Sequence, residues 1–313
     1  MDMKAIIIEQ YGGKEQLKEA DVPKPAPGEH QVIVKLHATS INPIDWKLRE
    51  GYLKTMMPFD FPIILGWDAA GVVDEVGAQV TKFKAGDRVF ARPETTNRGT
   101  YAEYTAVDAH LLAKIPENLS FEEAACVPLA GLTAWQCLFD FGNIQKGQKV
   151  LIHAGAGGVG TFAIQLAKEA GAYVAATAGT HNVDLLKSLG ADEVIDYKKQ
   201  DFEKVLREYD FVLDSLGGEN QEKSFTVLKN GGKLASIVSE PDPEKAAQKN
   251  IKSGNVWLKP NGSQLARMAE LLERSKLKVI IGHRFPLSEE GIREAHAISE
   301  SHHAKGKIVI EIR

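Results

Sequence analysis

The sequence predicts an α/β chain in which a β-rich domain accompanies a doubly wound parallel sheet. Three observations carry that expectation. Short apolar runs broken by Gly, Pro and Asp fill roughly the first 120 residues, strands and helical segments alternate from residue 150, and a glycine-rich turn sits at the first strand-to-helix junction of that alternation. A chain of 313 residues is long for one compact core, so two domains are expected.

In the first part, the runs at 5–8, 31–36, 70–76 and 88–91 read as strands. Pro23, Pro25, Pro27 and Gly28 form a stiff turn before the second, and Gly77, Gly86 and Asp87 punctuate later ones. From residue 150 the pattern gives strands at 150–153, 173–177, 193–195, 211–214 and 233–238, with a candidate sixth at 256–258. Helices are expected at 159–170 and 183–189, which makes the sheet parallel and covered on both faces. Leu265, Met268, Ala269 and Leu272 fall on one face of a helix at 263–274. A strand at 278–281, a helix at 289–299 and a strand at 307–312 follow, and this tail is expected to rejoin the first domain. The expected division is 1–122 with 262–313 for the β-rich domain, and 123–261 for the parallel sheet.

Composition excludes several function classes. Hydrophobic residues make up 43% and charged residues 26%, and the net charge is −4. An isoelectric point near 6.2 gives no electrostatic case for nucleic acid or an anionic membrane, both of which need a concentrated basic face. The apolar runs are far too short to span a bilayer. Met1-Asp2-Met3-Lys4 leads directly into a strand without a signal-peptide core, so a cytoplasmic protein is expected. Cys126 and Cys137 read as buried thiols.

Gly155-Ala156-Gly157-Gly158-Val159-Gly160 is a G-x-G-x-x-G directly after a strand and before a helix. The first glycine allows the tight turn, the second lets backbone approach a pyrophosphate, and the third lets helix and strand pack closely. The helix start then offers unpaired N–H groups to the phosphates. An NAD site carries an acid at the end of the second strand to bind the ribose 2′-OH. Residues 177–182 contain none, which removes the repulsion a 2′-phosphate would meet. Thr177, Thr180, His181 and Asn182, with Tyr197 closing from the next strand, are candidate contacts, so NADPH is expected.

With these motifs in place the chain resembles the medium-chain dehydrogenase/reductase superfamily, in its zinc-independent quinone oxidoreductase branch. The resemblance runs through Asn42-Pro43-Ile44-Asp45, the Pro62 to Val73 stretch containing Gly66-Trp67-Asp68, Gly86-Asp87-Arg88-Val89 and Gly99-Thr100-Tyr101-Ala102-Glu103-Tyr104. It continues through Pro128-Leu129-Ala130-Gly131-Leu132-Thr133-Ala134, the glycine loop, Leu189-Gly190-Ala191-Asp192, Asp214-Ser215-Leu216-Gly217-Gly218 and His303-Ala304-Lys305-Gly306-Lys307. It implies a GroES-like catalytic domain built from both chain ends, a Rossmann domain inserted between them, and an active site in the interdomain cleft. It adds Thr133, Val238, His303 and Lys307 to the expected cofactor contacts.

Zinc relatives carry Cys where this chain has Asn42 and His where it has Trp67, and their four-cysteine loop has no counterpart in residues 92–98, so no metal is expected. Asn42-Pro43-Ile44-Asp45-Trp46-Lys47, expected as a loop, is similar to the enone and alkenal oxidoreductases, which have a Lys two residues after the Asp. The resemblance implies hydride transfer to a quinone or an α,β-unsaturated carbonyl, with Asn42 and Lys47 as donors to the developing oxyanion and Lys47 as a proton source. Trp46, Tyr52 and Trp67 are candidate pocket residues. A homodimer paired through the strand at 256–258 is expected. The rival readings are a non-catalytic NADPH-binding sensor or structural protein of the same fold, and an enoyl-thioester reductase.

Overall fold

The computed structural model describes residues 1–312. The chain divides into two compact units. One comprises Met1–Leu132, Pro260–Ser275 and the chain from Val279 onward, and the other comprises Thr133–Lys259 with Lys276–Lys278. The sequence pattern predicts the first crossing at 122/123, and the chain crosses at 132/133.

In the first unit the strand Gln31–Ile41 is the spine of a seven-stranded sheet. Ala69–Val76 lies on one side of it, and Lys307–Glu311 and Tyr104–Asp108 lie on the other, along its later and earlier residues respectively, all antiparallel to it. Arg88–Ala91 and Leu112–Lys114 continue one edge, and Ile281–Pro286 closes the other, parallel to Lys307–Glu311. A three-stranded sheet of Lys18–Pro23, Asp2–Ile8 and Ile63–Ile64 lies beside it. Burial on both faces follows from the side-chain alternation of strands. One cluster gathers Val32, Val34, Val73, Val89 and Val107. Another gathers Ile6, Ile8, Leu48, Trp67, Tyr101, Ile292 and Ile308.

The second unit is an all-parallel sheet. Numbered within that sheet, its strands are β1 (Lys149–Ile152), β2 (Tyr173–Ala178), β3 (Glu193–Asp196), β4 (Tyr209–Asp214), β5 (Leu228–Ser236) and β6 (Lys252–Asn255). Their spatial order is β3-β2-β1-β4-β5-β6, the doubly wound dinucleotide-binding order. Helices Gly158–Glu169 and Val183–Ser188 follow β1 and β2, and Leu151, Ala175, Ile195, Val212 and Leu234 form part of the core.

Three local expectations are corrected. The sixth strand is Lys252–Asn255, not 256–258. Its polar residues suit an edge, and only the Val256 N–H extends the ladder, to Ser236 O at 2.8 Å. The strand expected at 278–281 begins only at Ile281, because the Gln165 carboxamide captures Lys278, accepting from its N–H at 2.8 Å and donating to its carbonyl at 3.0 Å. Asn42 to Lys47, expected as a loop, runs into the helix Pro43–Arg49, with Pro at a position where its missing N–H costs nothing.

Candidate active site and nucleotide-binding loop

The glycine loop is built by local crowding. Gly160 has the Ala154 carbonyl 2.4 Å from where a Cβ would stand, and at Gly155 a Cβ would meet Leu186 Cδ2 at 2.8 Å. Ala154 itself is left-handed, at φ 48°. The turn is pinned from β2, where the Ala154 N–H donates to Thr177 Oγ1 at 3.1 Å and the Gly155 N–H to the Thr177 carbonyl at 2.9 Å. His153, driven by burial down to about 4, is neutral and bonds Thr177 Oγ1 and Ser224 Oγ. The helix Gly158–Glu169 starts at Gly157 with no side-chain cap. Its first N–H groups are therefore open to an anion, and the residues present fit a pyrophosphate.

The remaining expected nucleotide contacts sort unevenly. Thr177 is 4% exposed and committed to the turn. β2 ends at Ala178 without an acid, but pairing with β3 sets Asp196 directly opposite it, a carboxylate the linear sequence does not place there. Asp196 is occupied by the Thr180 hydroxyl at 2.8 Å and the Lys198 N–H at 3.0 Å, with the Lys199 ammonium at 3.5 Å. Thr180 thus donates inward. Lys198 and Lys199 follow Tyr197 directly in the sequence, two cations that no motif there singles out. His181 is exposed, Asn182 half-buried, and Tyr197 53% exposed. Tyr197 reaches toward Gly179, its hydroxyl 3.2 Å from that residue's Cβ position. Val238 lies just beyond β5, partly exposed, and Ala156, Gly158 and Val159 complete the loop. Thr133 is buried at the start of this unit.

In the first unit a buried polar cluster surrounds the start of the helix Pro43–Arg49. Asn42 is 2% exposed. Its Nδ2 donates to Asp68 Oδ2 at 2.7 Å, and its Oδ1 accepts from Lys307 Nζ at 2.5 Å. Asp68 also accepts from Ser40 Oγ at 2.5 Å and from the Leu129 N–H at 2.7 Å. Lys307, expected among the cofactor contacts, is 3% exposed and has three acceptors for its three N–H donors. They are Asn42 Oδ1, Ile41 O at 3.2 Å and Asp68 Oδ2 at 3.5 Å, and none is left for a phosphate. His303, also expected there, is exposed at the surface of this unit.

One turn along the helix, Asp45 Oδ2 accepts from the Asn42 N–H at 2.8 Å and from the Tyr101 hydroxyl at 2.7 Å, while Oδ1 is buried without a partner. Burial pushes this carboxyl up to about 7. Behind it His296, driven by burial down to about 3, is neutral. Arg49 has only donors and lies 3.0 Å from His296 Nδ1, so Nδ1 accepts. The ring proton is therefore on Nε2, which donates to the Tyr101 oxygen at 3.1 Å. The sequence shows no sign of this Arg49–His296–Tyr101–Asp45 chain.

Of the pocket candidates, Trp67 is fully buried in the core, whereas Tyr52 is 70% exposed. Trp46 is half-buried, with Tyr52 and His302 edge-on to its ring at 6.2 and 5.9 Å. Lys47 is half-buried, with its ammonium 5.7 Å from the Trp46 ring.

Models of two families match the chain, the alcohol dehydrogenase GroES-like domain over residues 28–117 and the zinc-binding dehydrogenase over 189–310. The chain is 39% identical to a 2-methylene-furan-3-one reductase of Solanum lycopersicum and 36% identical to an NADPH-dependent alkenal/one oxidoreductase, chloroplastic, of Arabidopsis thaliana. Each alignment covers 99% of this chain and 79% of the relative. The solved quinone oxidoreductase of Coxiella burnetii matches with a TM-score of 0.93 at 36% identity, covering 100% of both chains. The chain belongs to the medium-chain dehydrogenase/reductase superfamily, in its quinone oxidoreductase branch. Within that superfamily the residues at the zinc-ligand positions do not fit a zinc ion. The Asn42 Oδ1, the atom of that side chain able to ligate a metal, is taken by an ammonium, and the Trp67 indole is sealed in the core. No helix among the described residues is long and apolar enough to cross a membrane.

Proposed function

We propose that this chain is an NADPH-dependent, zinc-independent oxidoreductase that reduces a quinone or the C=C bond of an α,β-unsaturated carbonyl. The observation that carries the reading is the uncapped glycine loop in one unit together with a metal-incompatible, donor-bearing helix start, Asn42 to Lys47, in the other. The names of similar proteins, an alkenal/one oxidoreductase and a quinone oxidoreductase, support the substrate class. Bound NADPH supplies the hydride. The glycine loop holds the pyrophosphate, and Lys198 and Lys199 with His181, Asn182 and Tyr197 take the 2′-phosphate. The second Asn42 N–H and the Lys47 ammonium donate to the substrate oxygen as negative charge grows there, and Lys47 delivers the proton that completes the reduction. Trp46 and Tyr52 supply apolar contact to the substrate.

The protein acts in the cytoplasm in this reading, which the free, buried thiols of Cys126 and Cys137 support. It works as a homodimer, for which the outer position of β6 and the half-exposed Trp257 beside it are the support. The test is steady-state oxidation of NADPH and NADH against quinones, alkenals and saturated alcohols. Turnover of the first two classes with NADPH preferred is expected. Tight NADPH binding without turnover of any substrate would make the chain a nucleotide-binding protein instead.

A further inference from the structure

We infer that Lys307 is a positioning residue which, with Asp68, holds the Asn42 carboxamide in the one orientation that leaves an Asn42 N–H free and strengthened for the substrate oxygen. This rests on the proposed role of Asn42 and extends it to a residue 265 positions away.

Electrostatics sets the orientation of this carboxamide. All three groups are buried, Asn42 at 2%, Lys307 at 3% and Asp68 at 0% exposure. Lys307 Nζ donates to Asn42 Oδ1 at 2.5 Å, and Asn42 Nδ2 donates to Asp68 Oδ2 at 2.7 Å. A carboxamide turned by half a revolution would set its NH₂ against an ammonium and its carbonyl against a carboxylate. Both contacts repel, and little water is present to screen them. The orientation is therefore fixed by charge. Of the two N–H groups on Nδ2, Asp68 takes one and the other remains. An ammonium on Oδ1 draws electron density through the conjugated amide and makes the remaining N–H a better donor. Lys307 is held in turn by Ile41 O, and Asp68 by Ser40 Oγ and the Leu129 N–H, so neither end of the clamp is loose.

A double-mutant cycle tests this, read as kcat and KM for an enone together with the NADPH dissociation constant from cofactor fluorescence. Asn42→Ala removes the donor and is expected to lower kcat about 100-fold. Lys307→Met is expected to lower kcat about tenfold and to leave NADPH affinity within about twofold. In the double variant kcat should equal that of Asn42→Ala alone, because Lys307 has nothing left to position. Lys307→Gln keeps a donor for Asn42 Oδ1 without charge, should recover part of the loss, and carries the same cycle if the Met variant does not fold. Losses that multiply in the double variant, or a tenfold weaker NADPH complex in either Lys307 variant, overturn the inference and leave the Asn42 assignment standing. Wild-type kcat for Asn42→Ala removes that assignment and the inference with it.

Discussion

Asp45 offers a stability measurement whose size follows from its surroundings. The carboxyl is fully buried, one oxygen has no partner, and burial raises it from the ordinary 3.8 to about 7, against the bonds from the Asn42 N–H and Tyr101 that favour the charged form. Asp68 adds repulsion and Lys307 attraction. Because the folded value lies above the unfolded one, between about pH 4 and pH 7 the native state keeps a proton that the unfolded chain has released. This group's contribution to stability therefore falls as pH rises through that window and levels off above it. At about 1.4 kcal/mol per pH unit the full interval corresponds to about 4 kcal/mol at most, and the part between about pH 5 and pH 8 to about 3 kcal/mol. Asp45→Asn retains an oxygen for both donors and has no charge to titrate. Urea unfolding of the two proteins across that range is expected to show the variant gaining about 3 kcal/mol on the wild type as pH rises, with other titrating groups cancelling in the difference. A difference that stays flat, or that moves toward the wild type with rising pH, would mean that the hydrogen bonds to Asp45 outweigh its burial, and the reasoning would be wrong.

Lys47→Met is expected to lower kcat about 100-fold with NADPH affinity unchanged, and more for enones than for quinones, whose reduced anions are better delocalised; near-wild-type rates on both would return Lys47 to a surface role. Gly160→Ala places a Cβ 2.4 Å from the Ala154 carbonyl, so the turn must move. A strain of about 1–3 kcal/mol should weaken NADPH binding roughly ten- to a hundredfold, and a fluorescence titration showing wild-type affinity would refute the crowding argument. Light scattering of the dilute protein is expected to give the mass of two chains, and a persistent monomer would reject pairing at β6.

What the sequence makes legible is what lies close along the chain. Gly155 to Gly160 can be read because strand, turn and helix are contiguous and each glycine answers a local steric demand. The strands β1 to β5 can be read because apolar runs return at regular spacing. β6 is not legible because Lys252–Asn255 is polar, while the apolar residues that look like a strand, 256–258, follow it. The helix Pro43–Arg49 is short, and its apolar periodicity is weak. Its start is stabilised by Asp45, whose carboxylate takes the Asn42 N–H, a capping arrangement that local spacing could have revealed.

The polar cluster is another matter, because pairing of distant strands creates it. Ile308 is set opposite Ile41 when the last strand returns beside Gln31–Ile41, and that register alone brings Lys307 to Asn42. β3 likewise brings Asp196 to Ala178. The sequence at Asn42 and Trp67 tells only that a thiolate and an imidazole are missing. The space beside Asn42 is not filled by an apolar core. Asp68 remains, fully buried, and an isolated carboxylate at that depth would cost several kcal/mol. A cation has to answer it, and Lys307 supplies one on a strand anchored at both flanks. The Asn42 carboxamide lies between the two. It is polarised by fixed charges on both sides, which is the condition under which a neutral amide can act as a donor in chemistry that needs no metal ion.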